Sequence, residues 1–276
     1  MKRRSRPSSP SSRPRPHPHS SRLPFYVTSL LLALTSASAA AAGDGPGPFG
    51  VTVTAIAAPP SARVGALFPA DRRARLRGGH FCTASVVHSA RHDLIVTAAH
   101  CLEGTEDGDL VFVPGYRDGE APYGVWTVGR QFRPDGWVKG QDEDSDVAFA
   151  VVADEGGEAV ENVVGGNRFV TGMATGATAV TVLGYPDTRE TPVRCTNKPG
   201  LHDHAQQRIV CPGFSAGTSG SPWMNGDGAV VGVLGGHDGG GETADVSYSV
   251  VLGEEAAGLY HAAEAEAEAE ADSASN

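Results

Sequence analysis

No two cysteines in the chain are separated by just two residues, so the CxxC ligand pairs of zinc ribbons are missing and a structural zinc site is not expected. Long stretches of helical periodicity and internal repeats are missing as well, which sets aside helix bundles and solenoids. Acidic residues are missing from the first 22 positions, which carry seven basic ones (Lys2, Arg3, Arg4, Arg6, Arg13, Arg15 and Arg22). The apolar run that follows, LPFYVTSLLLALTSASAA, is short for a membrane span, so an N-terminal anchor is the lesser reading. Residues 1–42 read as a Sec-type signal peptide with cleavage after Ala39 or Ala42. A twin-arginine signal is disfavoured because Arg3 and Arg4 lie far from the apolar run. Loss of this segment takes the formal net charge from −10 to −17. Nucleic acid and anionic membrane surfaces are therefore poor partners for the exported chain.

The rest is ordinary globular material, 40% hydrophobic and 20% charged, with room for a sizeable core. Four cysteines (Cys82, Cys101, Cys195, Cys211) in an exported chain suggest two disulfides. Three connectivities are possible, and local pairing is the simplest. After a short N-terminal segment (43–62), many short apolar runs are punctuated by Gly, Pro, Asp and Asn. They include VGALF from Val64, FCTASVV from Phe81, LIVT from Leu94, LVFV from Leu110, YGVWTV from Tyr123, DVAFAVV from Asp146, TAVTVLG from Thr178, AVVGVLG from Ala229 and VSYSVV from Val246. Strands at this spacing predict a β-sandwich or barrels. A Gly-rich joint near 155–167 divides them into two groups, consistent with two packed barrels over residues 63–263. Residues 254–263 read as a C-terminal helix. The Ala/Glu tail at 264–276 reads as frayed helix or solvated coil with no chemistry of its own.

The segment CPGFSAGTSGSPW (211–223) holds three serines in a context too rich in Gly and Pro for a mid-strand or mid-helix. A reactive serine needs a sharp turn and backbone N–H groups that converge on an oxyanion. Ser215 lies between Phe214 and Ala216, and Ser221 precedes Pro222, which has no N–H. Ser219 has Gly217 before it and Gly220 after it, so the N–H groups of Gly217 and Ser219 can share one focus. A general base is offered by His100 in VTAAHC, directly after a strand run. An orienting carboxylate is offered by DEDSDVAFAVV: Asp146 adjoins the alternating apolar run, whereas Asp142 and Asp144 suit a solvated acidic loop.

The motifs TAAHC, SDVAF and GTSGSP, in the order His, Asp, Ser, resemble the chymotrypsin-like serine proteases, especially bacterial secreted trypsin-like peptidases and glutamyl-endopeptidase-type enzymes. The resemblance covers about residues 63–263 and implies an all-β fold of two packed six-stranded antiparallel barrels with a short C-terminal helix. It also implies a Cys82–Cys101 disulfide beside the catalytic histidine, a His100–Asp146–Ser219 triad, and an oxyanion hole from Gly217 and Ser219. The activity implied is that of a secreted serine endopeptidase acting on proteins or peptides as a monomer, with no metal or organic cofactor.

Two departures from the family pattern stand out. Thr218 occupies the place of the usual acid before the nucleophile, and Ser221 that of the second glycine after it. The serine that often lies beside the orienting aspartate is replaced by Gly235 or Gly236. Alignment of VLGGH with the edge of the primary pocket assigns substrate contact to Gly213, Gly235, Gly236 and His237, with no acid at the base, which disfavours Arg or Lys at P1. The histidine of the glutamyl enzymes falls at Leu234, so a large or an acidic P1 residue stays open. Thr218 cannot pair with a new N-terminal ammonium, so activity is expected whatever the N-terminus. A silent binding protein on the same fold and an esterase or restricted processing enzyme are the competing readings, and retention of all three triad residues weighs against the first.

Overall fold

The computed structural model describes residues 49–274, with side chains to residue 265; the expected signal peptide lies outside the described residues. The first half contains β1 (Thr52–Thr54), α1 (Pro59–Ala62), β2 (Val64–Pro69), β3 (Cys82–Val86), β4 (Leu94–Thr97), β5 (Leu110–Pro114), β6 (Trp126–Phe132), α2 (Asp135–Gly140), β7 (Ala148–Val152) and α3 (Val160–Val164). Strands β2, β3, β4, β7, β6 and β5 close into a barrel in that order, every neighbouring pair antiparallel. Alternation along the strands sorts the side chains between two clusters. Leu67, Ala84, Ile95, Phe112, Trp126 and Ala150 form one, while Val64, Phe68, Val96, Val113 and Phe149 belong to a second that also takes in residues of the C-terminal half. Both faces are covered, which explains why LIVT and LVFV are apolar at successive positions instead of at every other one.

The second half contains β8 (Arg168–Phe169), β9 (Val180–Gly184), β10 (Val193–Asn197), β11 (Gly200–Leu201), β12 (Gln206–Val210), β13 (Pro222–Met224), β14 (Ala229–Val233), β15 (Val246–Val250) and α4 (Glu254–Ala274). Its strands pair as a six-stranded sheet, β1-β10-β9-β13-β14-β8, and a three-stranded one, β11-β12-β15. Several links join the sheets around a core of Val182, Val193, Ile209, Phe214 and Trp223, among them a disulfide and a backbone bond. The Cys195–Cys211 disulfide ties β10 to the end of β12, and the Gly235 N–H donates to the Tyr248 carbonyl, tying the end of β14 to β15 at 3.0 Å. Six strands, β9, β10, β12, β13, β14 and β15, thus enclose the second core, in keeping with the two-barrel expectation. β1 and β8 are additions at the sheet edges, and β8 runs parallel to β14, so the pairing is not wholly antiparallel.

Three further features differ from the sequence reading. The joint at 155–167 is not bare loop but contains α3, which ends at Gly165. Strands β10, β12 and β13 escape the apolar-run criterion because VRCTN and QQRIV carry polar side chains and PWM begins with proline. α4 continues well past residue 263 into the Ala/Glu tail. Its anchoring turn sets Tyr260 against Phe149 and Phe169, with ring centroids 5.5 and 5.3 Å apart. No helix among the described residues is long and apolar enough to cross a membrane.

Both disulfides follow local pairing, Cys82–Cys101 and Cys195–Cys211. Replacing Cys195 and Cys211 together by serine is expected to cost about 3 kcal/mol of stability, by chain-entropy reasoning for a short loop. Urea unfolding followed by tryptophan fluorescence checks this; an unshifted midpoint would mean that the two sheets hold together without the staple.

Candidate active site

β4 ends at Thr97, and the chain turns at once into a 3-10 helical turn, Ala99–Leu102, that carries His100. The Cys82–Cys101 disulfide fixes this turn to β3. Leading into the neighbouring strand β7, where Ala148 pairs with Thr97, the acidic loop makes a second 3-10 turn, Glu143–Ser145, capped by the Asp142 side chain, which accepts the Asp144 N–H. Asp142 and Asp144 are exposed there, and only Asp146 is drawn in, with 1% of its surface accessible. Its carboxylate receives three N–H donors. His100 Nδ1 lies 2.7 Å from Oδ2, the His100 backbone N–H donates to Oδ1 at 2.9 Å, and the Gly236 N–H donates to Oδ2 at 2.7 Å. The imidazole is thereby held at both its backbone and its ring, with about a quarter of its side chain left accessible.

The Gly236 contact explains the missing serine. A Cβ on Gly235 would lie 2.7 Å from Asp146 Oδ2 and 3.1 Å from the Ala98 Cβ, so a side chain at that position would have to push the carboxylate aside. A backbone donor one residue further on takes the place of a hydroxyl.

Ser219 is half-buried, and its backbone is tied to β3. The Thr83 N–H donates to the Ser219 carbonyl at 2.7 Å, one residue from the Cys82 that is bonded to Cys101. Gly220, at φ 84°, sits where any Cβ would strike the Thr83 carbonyl and the Thr97 hydroxyl. No hydrogen bond joins the Ser219 hydroxyl to His100 among the described residues; such contacts commonly tighten only with substrate in place. Gly217 is at φ 88°, with Tyr185 O and Asp187 N both 2.6 Å from where a Cβ would stand. The end of the loop is tied back on itself. The Thr218 N–H and hydroxyl both donate to the Ser215 carbonyl, at 3.1 and 2.7 Å. Ser221 donates its N–H and its hydroxyl to the Thr218 carbonyl, at 3.0 and 2.6 Å. The Gly220 N–H donates to the Leu234 carbonyl at 2.7 Å. The N–H groups of Gly217 and Ser219, like those of Gly213, Ser215 and Ala216 earlier in the loop, have no partner among the described residues.

Thr83 and Thr97 belong to this site and were not singled out in the sequence. The Thr83 hydroxyl donates to the Gly217 carbonyl at 3.0 Å and accepts the Tyr185 N–H at 3.0 Å, while the Thr97 hydroxyl donates to the Thr83 carbonyl at 2.8 Å. Their signal was a fully buried threonine inside an otherwise apolar strand run.

The residues assigned to substrate contact are distributed unevenly. Gly235 and Gly236 lie against Asp146, as described. His237 packs between His202 and Tyr248, with ring centroids 4.7 and 4.8 Å away, and contacts the carboxylates of Asp238 and Glu143 at 3.2 and 3.5 Å. Gly213 stands on an exposed turn whose nearest side-chain neighbour is Thr52 of β1. A cavity of about 310 Å3 elsewhere on the chain, lined by Ala58, Tyr123, Tyr185 and Pro192 among others, shares no residue with the triad.

The fold and this site define a serine-type peptidase of the two-barrel class. Residues 82–233, more than half of the chain, match the model of the trypsin-like peptidase domain, and the chain belongs to that family. The chain is similar to two solved serine proteases. Protease Anisep from Arthrobacter nicotinovorans is 27% identical, with a TM-score of 0.66 over 78% of this chain and 99% of that one. A thermostable serine protease, AL20, from an extremophilic microorganism is 26% identical, with a TM-score of 0.64 over 75% and 99%. A Glu endopeptidase, 18% identical with a TM-score of 0.63 over 80% and 99%, shares the fold. No curated protein sequence matches the chain. The protein is thus a trypsin-like serine endopeptidase, whose substrates are proteins or peptides.

The closeness of Gly235 to Asp146 yields a test. Gly235→Ala should lower kcat/KM about ten- to a hundredfold, because the new methyl group displaces the carboxylate by a few tenths of an ångström and the imidazole with it. Steady-state kinetics with circular dichroism as a check on folding measures this; an unchanged kcat/KM in a folded variant would mean that the position of Asp146 is not critical.

Proposed function

We propose that the chain is an exported serine endopeptidase that works through an acyl-enzyme, with Ser219 as nucleophile, His100 as general base and then general acid, and Asp146 as the group that orients His100. The observation that carries this reading is the His100–Asp146 pair, 2.7 Å apart with the carboxylate 1% accessible, together with the Gly217 and Ser219 N–H groups left without a partner among the described residues in the loop that Thr83 ties to β3. Donors left free beside a half-buried serine suit a developing oxyanion. In the first step Ser219 Oγ attacks the substrate carbonyl while His100 Nε2 takes its proton. The tetrahedral oxyanion is held by the two N–H groups, and collapse expels the amine, which takes the proton from His100. Water then repeats the sequence on the ester and frees Ser219. Asp146, bound to Nδ1, fixes the tautomer that leaves Nε2 able to accept, and it stabilises the imidazolium that forms.

The Thr218 bonds support activity without a newly cut N-terminus. In zymogen relatives an ammonium pairs with the acid before the nucleophile; here the Thr218 side chain instead closes the loop locally on the Ser215 carbonyl. A buried ammonium beside it would have no counter-charge, at a cost of several kcal/mol. Gly213, Gly235, Gly236 and His237 remain the proposed substrate-facing set. It offers no acid of its own, and the carboxylates nearest His237 already face its ring, so Arg and Lys are poor P1 residues. The basic leader at 1–42 and two disulfides in the described chain support export and an oxidising compartment.

A fluorophosphonate probe should label Ser219 alone, and Ser219→Ala should lower kcat on the order of a millionfold. Peptide mapping that places the label on Ser215 or Ser221, or near wild-type hydrolysis by Ser219→Ala, would overturn the assignment. Protein starting at Gly43 with and without a short N-terminal extension should hydrolyse peptides at equal rates; activity that returns only after trimming would contradict the role given to Thr218.

A further inference from the structure

Outside the peptidase site, the turn between β3 and β4 meets α3. Two histidines four residues apart on that turn meet a carboxylate from a distant part of the chain: one ligand atom from each of His88, His92 and Glu161 lies within 4.8 Å of the other two. We propose that His88, His92 and Glu161 form a surface site for a divalent transition metal of the zinc type, with Asn162 as the neighbouring oxygen donor. The inference does not rest on the peptidase mechanism and uses none of its residues.

The donor set is chemically apt. Two imidazoles and a carboxylate suit zinc and its late first-row neighbours, and three protein ligands leave a position for water or an amide oxygen. His88 Nδ1 is 2.7 Å from Glu161 Oε1, and His92 Nδ1 is 2.7 Å from Asn162 Oδ1, so a nitrogen and an oxygen already face each other on both sides of the site. Tetrahedral coordination at bond lengths near 2.1 Å sets ligand atoms about 3.4 Å apart. Rotation of the exposed His88 side chain, 59% accessible, supplies the adjustment from the present spacing.

The surroundings hold the acid and the backbone rather than leaving them to solvent. Glu161 is only 13% accessible, and its second oxygen, Oε2, accepts the Ser89 N–H at 3.2 Å, which leaves Oε1 directed at His88. Outer hydrogen bonds of this kind orient ligating carboxylates. The Glu161 N–H donates to the His92 carbonyl at 2.9 Å, and the His88 N–H to the Asn167 carbonyl at 2.8 Å. The Tyr260 hydroxyl of α4 donates to the His88 carbonyl at 2.6 Å. A metal here would therefore clamp the β3–β4 turn of the first barrel to the connection that leads into the second, at the point where α4 also docks. The absence of CxxC excludes a cysteine site but says nothing about donors assembled by tertiary contact.

The full chain, freed of metal by chelation and dialysis, is titrated with zinc chloride in a calorimeter and with cobalt chloride under visible spectroscopy. The expected result is one equivalent bound with micromolar affinity and a higher melting temperature. His88→Asn and His92→Asn should each weaken binding at least about tenfold and abolish the thermal shift. His202→Asn, which alters the histidine cluster beside Tyr248, should leave both intact. Absence of saturable binding at submillimolar zinc, binding that survives both His88→Asn and His92→Asn, or binding lost in His202→Asn would each overturn the proposal. Peptide hydrolysis by His88→Asn should stay within about twofold of wild type, as expected for ligands outside the mechanism.

Discussion

Burying a carboxylate in a protein interior is unfavourable unless hydrogen bonds replace the water it loses. Asp146 meets that demand with three N–H donors, two from His100 and one from Gly236. The donors come from opposite parts of the chain: His100 follows β4 of the first barrel, and Gly236 follows β14 of the second half. The group that orients the imidazole is therefore also a joint between the two β-systems. Gly235 must lack a side chain for this joint to close, and the Ala98 methyl fills the remaining space. Removing one donor would leave a buried charge under-satisfied, which is costlier than the loss of an ordinary surface contact.

The serine loop depends on the same meeting of halves. Thr83 reaches from β3 to the Ser219 carbonyl with its N–H and to the Gly217 carbonyl with its hydroxyl, while it accepts the Tyr185 N–H from beyond β9. Thr97 closes on the Thr83 carbonyl next to the His100 turn. A continuous set of bonds thus runs from the loop of Ser219, the proposed nucleophile, through β3 to the disulfide that holds the His100 turn. Local bonds from Thr218 and Ser221 stiffen the loop on either side of the free Ser219 N–H.

Much of this was legible because it is local. Strands covered on both faces leave unbroken apolar runs, and LIVT at 94–97 coincides with β4. Strands β10 and β12 did not show themselves because they carry polar side chains, in β12 the buried Gln206 and Gln207, whose amide groups donate to the acidic loop and to the Val231 carbonyl. At the site, TAAHC, SDVAF and GTSGSP each name one residue from a short context. The Gly236 donor, the Thr83 and Thr97 bonds and the His88–His92–Glu161 cluster depend on parts of the chain that meet only after folding, so no window of sequence could reveal them. The reach of α4 into the tail was ambiguous for another reason: alternating Ala and Glu has good helix propensity without an apolar stripe to fix its extent.

The central claim is that one carboxylate, Asp146, orients the base. The most direct measurement is the kinetics of Asp146→Asn beside Asp144→Asn, at constant pH with a peptide substrate. Asp146→Asn keeps the shape but alters the tautomer it imposes on His100, so kcat should fall on the order of ten-thousandfold with KM little changed. Asp144→Asn, at an exposed residue whose side chain meets Gln206 and not His100, should leave kcat near the wild-type value. Near wild-type turnover by Asp146→Asn, or an equal collapse in Asp144→Asn, would contradict the account.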